Sequence, residues 1–327
     1  MPADERPGHP LGPPMARPSL QRPGLQRPGL QRSAARTAVV WDALRTVLVA
    51  PDAPDDTDDT DAPDDTARDG RSLSVVDIGG GTGGFAVRVA ELGHQVVVID
   101  PSPDALATLA RRAEESGVAD RVTGRQGDLD SLLDLAPSSS SAPDPSSALS
   151  SSSTGGAPSS PGSADVVLCH GVLEIVDDPA AALAALARVL RPGGTLSLLV
   201  NQQHAAVIAR AMAGHFQQAR ALLDPTPRAP SPEPVRDGAG SQWEDATVGG
   251  FTHRRFTVEE ITVALDEAGF DIATMHAVRV FVDLVPSALV DLEPGAVQAL
   301  VELERAVATR PEYLSLATQV HLLATRR

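Results

Sequence analysis

The sequence predicts a doubly wound, mostly parallel α/β fold, and three observations carry that reading. Between residues 75 and 200, apolar runs of strand length alternate with helical periods. The first of these runs meets a glycine cluster that opens a helix, the turn at which open parallel sheets bind ligands. The segments that interrupt the alternation are too polar to build a core, so they count as insertions into one domain.

Residues 75–100 read VVDIGGGTGGFAVRVAELGHQVVVID, a strand, a turn, a helix and a strand. Asp100 falls at the tip of the second strand, about 20 residues after Gly79, where an acid takes the two hydroxyls of a ribose. An adenosine-containing ligand is expected. Gly79, Gly81 and Gly84 make GxGxxG, while Asp77, Gly79, Gly81 and Gly83 make DxGxGxG, so spacing alone fits two ligands. Charge separates them. A pyrophosphate wants bare amides at a helix N-terminus, and Asp77 would repel it. The ammonium and sulfonium of S-adenosylmethionine would attract that carboxylate, and glycines let its methionine part lie against the backbone. The alternative is a tight turn that binds nothing. Against it, each glycine costs roughly 0.5–1 kcal/mol relative to alanine to order.

The 327 residues are 42% hydrophobic, enough for a sizeable core, but only 3% aromatic, so that core must be Ala, Val and Leu. There is no lysine; every basic side chain other than histidine is arginine. The net charge of −16 argues against an anionic partner, yet nine aspartates lie between Asp52 and Asp69 alone, so it says little about the active face. The single Cys169 excludes an internal disulfide and, within the run VVLC, reads as a buried strand residue. No apolar stretch of signal-peptide type opens the sequence, and nowhere do 18 apolar residues run together. A soluble, cytoplasmic protein is expected.

In chain order, residues 1–32 repeat LQRPG and read as a disordered Pro/Arg-rich tail, whose arginines are either solvated or in reach of phosphates. Residues 33–50 turn helical, with Val40, Leu44, Val47 and Leu48 on one face and Ser33 as N-cap, and pack on the domain. Residues 51–70 form an acidic linker. The main domain is 71–327. After Asp100 a helix runs to Gly117, and a third strand at 121–125 leads into Gly127 and Asp128, either a turn or an adenine contact. A Ser-rich insertion at about 136–164 precedes a fourth strand (165–169), a helix (179–190) ended by LRPGG, and a fifth strand (195–200). A helix at 204–223, a flexible Pro/Gly-rich insertion at about 224–248 and a TVEE-capped helix from Thr257 follow. A strand at about 271–282, a helix at about 295–309 and a strand at about 314–325 end the chain, the two strands pairing at one sheet edge.

Asp77-Ile-Gly-Gly-Gly, Asp100, DVVLCHGVLE and LRPGG together resemble class I S-adenosylmethionine-dependent methyltransferases over about 70–327 less the insertions. That resemblance implies a Rossmann-like sheet of seven strands with the last antiparallel. ARTAVVWDAL, HGVLEIVDDP, LRPGGTLSLLVNQQH, VRVFVDL and ELERAVATRPEYLSLATQVHLLATR are similar, more narrowly, to the bacterial tRNA 5-carboxymethoxyuridine methyltransferases, which turn a wobble-uridine carboxylate into its methyl ester. By that likeness Arg36 contacts the cofactor's carboxylate, Gly79 and Gly80 its methionine part, Asp100 the ribose, and Leu129 and Asp130 the adenine edge, with His170 as the floor. In place of that family's lysine-rich run, this chain has Arg220, Arg228, Arg254 and Arg255.

Methyl transfer from a sulfonium is an in-line displacement, in which alignment supplies roughly 7–11 kcal/mol. A carboxylate acceptor is already ionised and needs a cation rather than a base. Arg279, or the pair Arg254 and Arg255, are the candidates, and a salt bridge to Asp283 is the plainer role for Arg279. His170 is either a packed strand-end histidine or a ligand contact, and an N- or O-methylation would use it as base. Glu174 either bonds the cofactor or caps the helix near Asp178. Trp243 and Phe251 either stack on a base or anchor the core. Three functions remain: a methyltransferase acting on tRNA, one acting on a small acid, and a nucleotide-binding oxidoreductase or non-catalytic module. No metal is expected.

Overall fold

The computed structural model describes residues 28–49 (side chains from Ala35), 72–129, 162–223, 254–286 and 295–327. The acidic linker, Asp130, Arg228, Trp243, Phe251, nearly all of the tail and most of both insertions lie outside the described residues.

Seven strands, β1 (Ser74–Ile78), β2 (Gln95–Asp100), β3 (Val122–Gln126), β4 (Ala164–His170), β5 (Leu190–Asn201), β6 (Phe270–Val278) and β7 (Gln319–Arg326), form one sheet in the order β3-β2-β1-β4-β5-β7-β6. β1 to β5 are parallel, and β7 runs antiparallel between β5 and β6. This is the doubly wound sheet expected, with its antiparallel last strand. The order reverses between β1 and β4, so a crevice opens outside the C-terminal ends of these strands.

The helices are α1 (Pro28–Leu48), α2 (Ala86–Glu91), α3 (Pro103–Glu115), α4 (Pro179–Val189), α5 (Gln203–Met212), α6 (Phe216–Ala221), α7 (Val258–Glu267), α8 (Ala296–Val307) and α9 (Pro311–Leu314). Strand alternation divides the core into two layers. Val76, Ile78, Val167, Cys169, Leu196 and Leu198 face α4 and α7 through Leu183, Leu186, Ile261 and Leu265. Val75, Val96, Val98, Val166 and Leu168 face α1, α2 and α3 through Leu44, Leu48, Val89 and Leu109. The period of two therefore places Asp77 and His170 on the α1 side. Both layers are built mostly from Val, Leu, Ile and Ala, as the low aromatic content required, with Phe256 and Phe270 added to the first.

Helix starts follow local chemistry. Ser102 and Asp178 accept from the first amides of α3 and α4, each followed by a proline, and Thr257 and Glu260 form a full capping box on α7. Several expected boundaries shift. α1 already begins at Pro28, so Ser33 lies inside the helix rather than capping it. The single helix expected over 204–223 is two, divided at Gly214 (φ 81°). LRPGG belongs to β5, whose pairing with β4 jumps from Ala164↔Leu190 to Val166↔Thr195; Arg191 bridges Asp165 at 2.7 Å there. β6 stops at Val278 because Arg279 turns left-handed (φ 61°). β7 starts only at Gln319 because Pro311 initiates α9. No helix among the described residues is long and apolar enough to cross a membrane.

Candidate active site

The glycine turn is shaped first by the protein's own atoms. Gly79, Gly81 and Gly83 take φ of 67°, 55° and 79°, a region that side chains rarely adopt. A Cβ on Gly79 would strike Val172, one on Gly80 the Asp77 carboxyl and Val98, and one on Gly83 the Leu109 side chain. Gly81 is different: a Cβ there would come no nearer than 3.8 Å to any neighbour, the Asp100 carboxylate, so space alone does not demand glycine at that position.

Two acids frame this turn. Asp100, at the end of β2 and buried, accepts from the Gly81 amide through Oδ2 and the Ser102 amide through Oδ1, both at 2.9 Å. Each oxygen keeps a lone pair for a second donor. Asp77 is 3% exposed beneath Gly80. Burial, with the nearby charge of Asp100 as the lesser cause, pushes its carboxyl up to about 7. A carboxyl so placed is poised to lose its proton when a cation arrives. After β3, Asp128 is exposed, whereas Leu129 is 2% exposed in the core beside Ile78 and Ile99. The Leu129 side chain therefore packs in the core.

His170 closes β4, its ring edge-on to Phe85 with centroids 4.9 Å apart. Burial pushes it down to about 4, so it is neutral at pH 7. Its Nε2 lies 2.9 Å from Ser197 Oγ, which lies 2.8 Å from His321 Nε2. Cys169 is buried, and burial first, then the charges of Glu174 and Asp77, push its thiol up; it is a packing residue, as read.

The arginines fall into two places at the same end of the sheet. Arg36 of α1 and Arg279 both bridge the buried Asp283, at 3.1 and 2.5 Å, the salt bridge set out as the plainer role for Arg279. The two guanidiniums share that one carboxylate. Arg254 and Arg255 sit instead at the end of β5. The Arg254 amide donates to the Glu174 carbonyl, and the Phe256 amide donates to that of Asn201. Arg220 is exposed on α6. Glu174, buried, accepts from the Asn201 amide at 2.7 Å and so pins the end of β5; Asp178 itself caps α4.

Glu304, Ser197 and His321 were missed. Glu304 of α8 is 1% exposed and accepts from three successive amides, Val280, Phe281 and Val282, at 2.7–3.0 Å, which holds the turn carrying Arg279 and Asp283. Its signal was an acid on the apolar stripe Leu300, Val301, Val307. For Ser197 and His321 it was a polar residue at an inward position of an apolar strand. Among the described residues no group of three His, Cys, Asp or Glu is arranged to hold a metal ion.

The residues fit S-adenosylmethionine: a buried carboxyl ready to ionise, the open backbone of Gly81, and free acceptor capacity on Asp100. Known proteins agree. The family described as "Methyltransferase domain" matches residues 76–196. The tRNA 5-carboxymethoxyuridine methyltransferase of Escherichia coli K12 is 30% identical over 257 residues, 78% of this chain and 81% of that protein. A ubiquinone biosynthesis O-methyltransferase of Xanthomonas euvesicatoria is 34% identical over 148 residues, 45% of this chain and 51% of that protein. A solved S-adenosylmethionine-dependent methyltransferase of Mesorhizobium loti superposes with a TM-score of 0.47 at 20% identity, over 89% of this chain and 100% of that one. With its doubly wound sheet, its glycine turn and a relative matched over most of both lengths, this chain belongs to the S-adenosylmethionine-dependent methyltransferases.

Proposed function

We propose that this methyltransferase esterifies a carboxylate, and that the carboxylate belongs to a modified wobble uridine of tRNA. The observation that carries this reading is the match to the E. coli tRNA enzyme, which spans 81% of that protein, C-terminal half included, whereas the ubiquinone O-methyltransferase match spans 51% of its protein. Acceptor recognition in such enzymes lies outside the shared cofactor half.

When bound, S-adenosylmethionine supplies a methyl on a sulfonium, displaced in line by the acceptor oxygen as the pair of electrons returns to sulfur. On the protein side, Asp77 would answer the cofactor's positive charges, the Gly81 backbone would take its methionine part, Asp100 its ribose, and the Asp128 end of β3 its adenine. The Arg36 and Arg279 guanidiniums, and the Arg254 and Arg255 pair, are the groups that would hold a carboxylate without needing a base. Buried Asp283 and Glu304 fix the first cluster in place.

The test is mass spectrometry of nucleosides in tRNA from a strain lacking the protein. The wobble carboxylate should accumulate as the free acid and its methyl ester disappear. An unchanged nucleoside profile would refute tRNA as acceptor and favour a small acid. Binding of bulk tRNA should weaken steeply with salt.

A further inference from the structure

Four polar side chains cross the α1 face of the sheet in a row: His170 on β4, Ser197 on β5, His321 on β7 and His276 on β6. Ser197 Oγ is in hydrogen-bond reach of both His170 Nε2 and His321 Nε2, at 2.9 and 2.8 Å. His321 stacks on His276, centroids 5.5 Å apart. Ser197 and His321 are fully buried. Burial, and for His321 the flanking histidines as well, keep His170 and His321 neutral at pH 7.

A hydroxyl carries one hydrogen, so the row has three arrangements. If both imidazoles donate to Ser197, its buried O–H has nothing to donate to. If His170 donates to Ser197 and Ser197 to His321, the proton of neutral His321 sits on Nδ1, which is buried without a partner. If His321 donates to Ser197 and Ser197 to His170, only a bare lone pair on His321 Nδ1 is left over, and His170 carries its proton on Nδ1. Orphaned buried donors are rarer than under-used acceptors, so the third arrangement prevails. His170 Nδ1, unlike that of His321, is not closed off. It lies at the C-terminal end of β4, where the crevice opens.

We propose that Ser197 and His321 are positioning residues that lock His170 in its Nδ1–H tautomer, so that His170 acts as a neutral hydrogen-bond donor to the anionic methyl acceptor. A neutral donor orients a carboxylate without protonating it, which leaves the attacking oxygen its lone pairs. The tautomer follows from the row alone; the anionic acceptor rests on the function proposed above.

The test is a two-bond 1H–15N correlation on the whole protein labelled with 15N-histidine, with His170 and His321 assigned from their substitutions by Gln. The expected spectrum has His170 protonated at Nδ1 and His321 at Nε2. An Nε2–H tautomer of His170 in the wild type overturns the proposal. Ser197→Ala should release His170 into a tautomer mixture and lower kcat roughly tenfold with little change in the KM for S-adenosylmethionine. His321→Gln, which keeps an N–H at similar reach, should retain the wild-type tautomer and kcat, whereas His321→Leu should not. Unchanged tautomer and kcat in Ser197→Ala overturn the proposal as well. Because the spectrum needs no acceptor, an Nδ1–H tautomer together with unchanged tRNA nucleosides would support the row while refuting the wobble-uridine reading.

Discussion

Removing the charge of Asp77 should stabilise the cofactor-free protein and weaken cofactor binding. In the folded chain this carboxyl holds its proton up to about 7, against an ordinary value of 3.8. Between those values the folded state binds more protons than the unfolded state, so stability contributed here is full below pH 4 and is lost as pH rises through 7. Worked through linkage, the loss is roughly 4 kcal/mol at most, and less once water entry and relaxation are counted. Asp77→Asn removes the titrating group. In urea titrations of the cofactor-free proteins, the variant should gain on the wild type progressively from pH 5 to 8, with the gap closing at low pH. Parallel stability curves across that range would refute the burial argument. Binding should show the reverse preference: a cationic cofactor draws the proton off Asp77, so calorimetry near pH 7 in buffers of different ionisation enthalpy should report proton release. Asp77→Asn should abolish that release and weaken binding roughly 10- to 100-fold, the worth of one charge-assisted hydrogen bond.

Other sites give independent checks. Asp100→Ala should abolish measurable binding of S-adenosylhomocysteine in calorimetry; because the Gly81 and Ser102 amides also lose their acceptor, the fold should persist with a stability lower by roughly 1–3 kcal/mol. Gly80→Ala should cost roughly 1–3 kcal/mol in denaturant titration, since the added methyl meets Asp77 and Val98, while Gly84→Ala, with nothing within 4 Å, should be near neutral. Equal effects at the two glycines would refute the packing account. Glu304→Leu strands three backbone amides and should destabilise by about 3 kcal/mol or more, read by thermal melting.

Much of the fold was legible because it is written in local pattern. Val75 to Asp100 shows strand period, glycine turn and helix period within 26 residues of continuous sequence, and Thr257 and Glu260 announce a capping box three residues apart. Boundaries were less legible where one backbone angle decides them, as at Gly214 and Arg279. The glycine turn and the acids beside it were legible for the same reason, since Asp77 and Asp100 lie at fixed spacing from the glycines. The joining of Arg36 to Arg279 was not, because they meet only through Asp283, across more than 200 residues of chain.

By itself, then, the sequence determined the α/β class, the glycine turn and the acids beside it, because strand and helix periods and turn chemistry are properties of neighbouring residues. Only the tertiary structure decided what those residues face. Folding placed Asp77 under Gly80 beyond the reach of water, where its proton is held. It brought Ser197 and His321, 124 residues apart, into one hydrogen-bonded row ending on His170. It also turned Leu129 into the core. Burial and long-range contact set protonation and partnership, and neither is a property of any short stretch of chain.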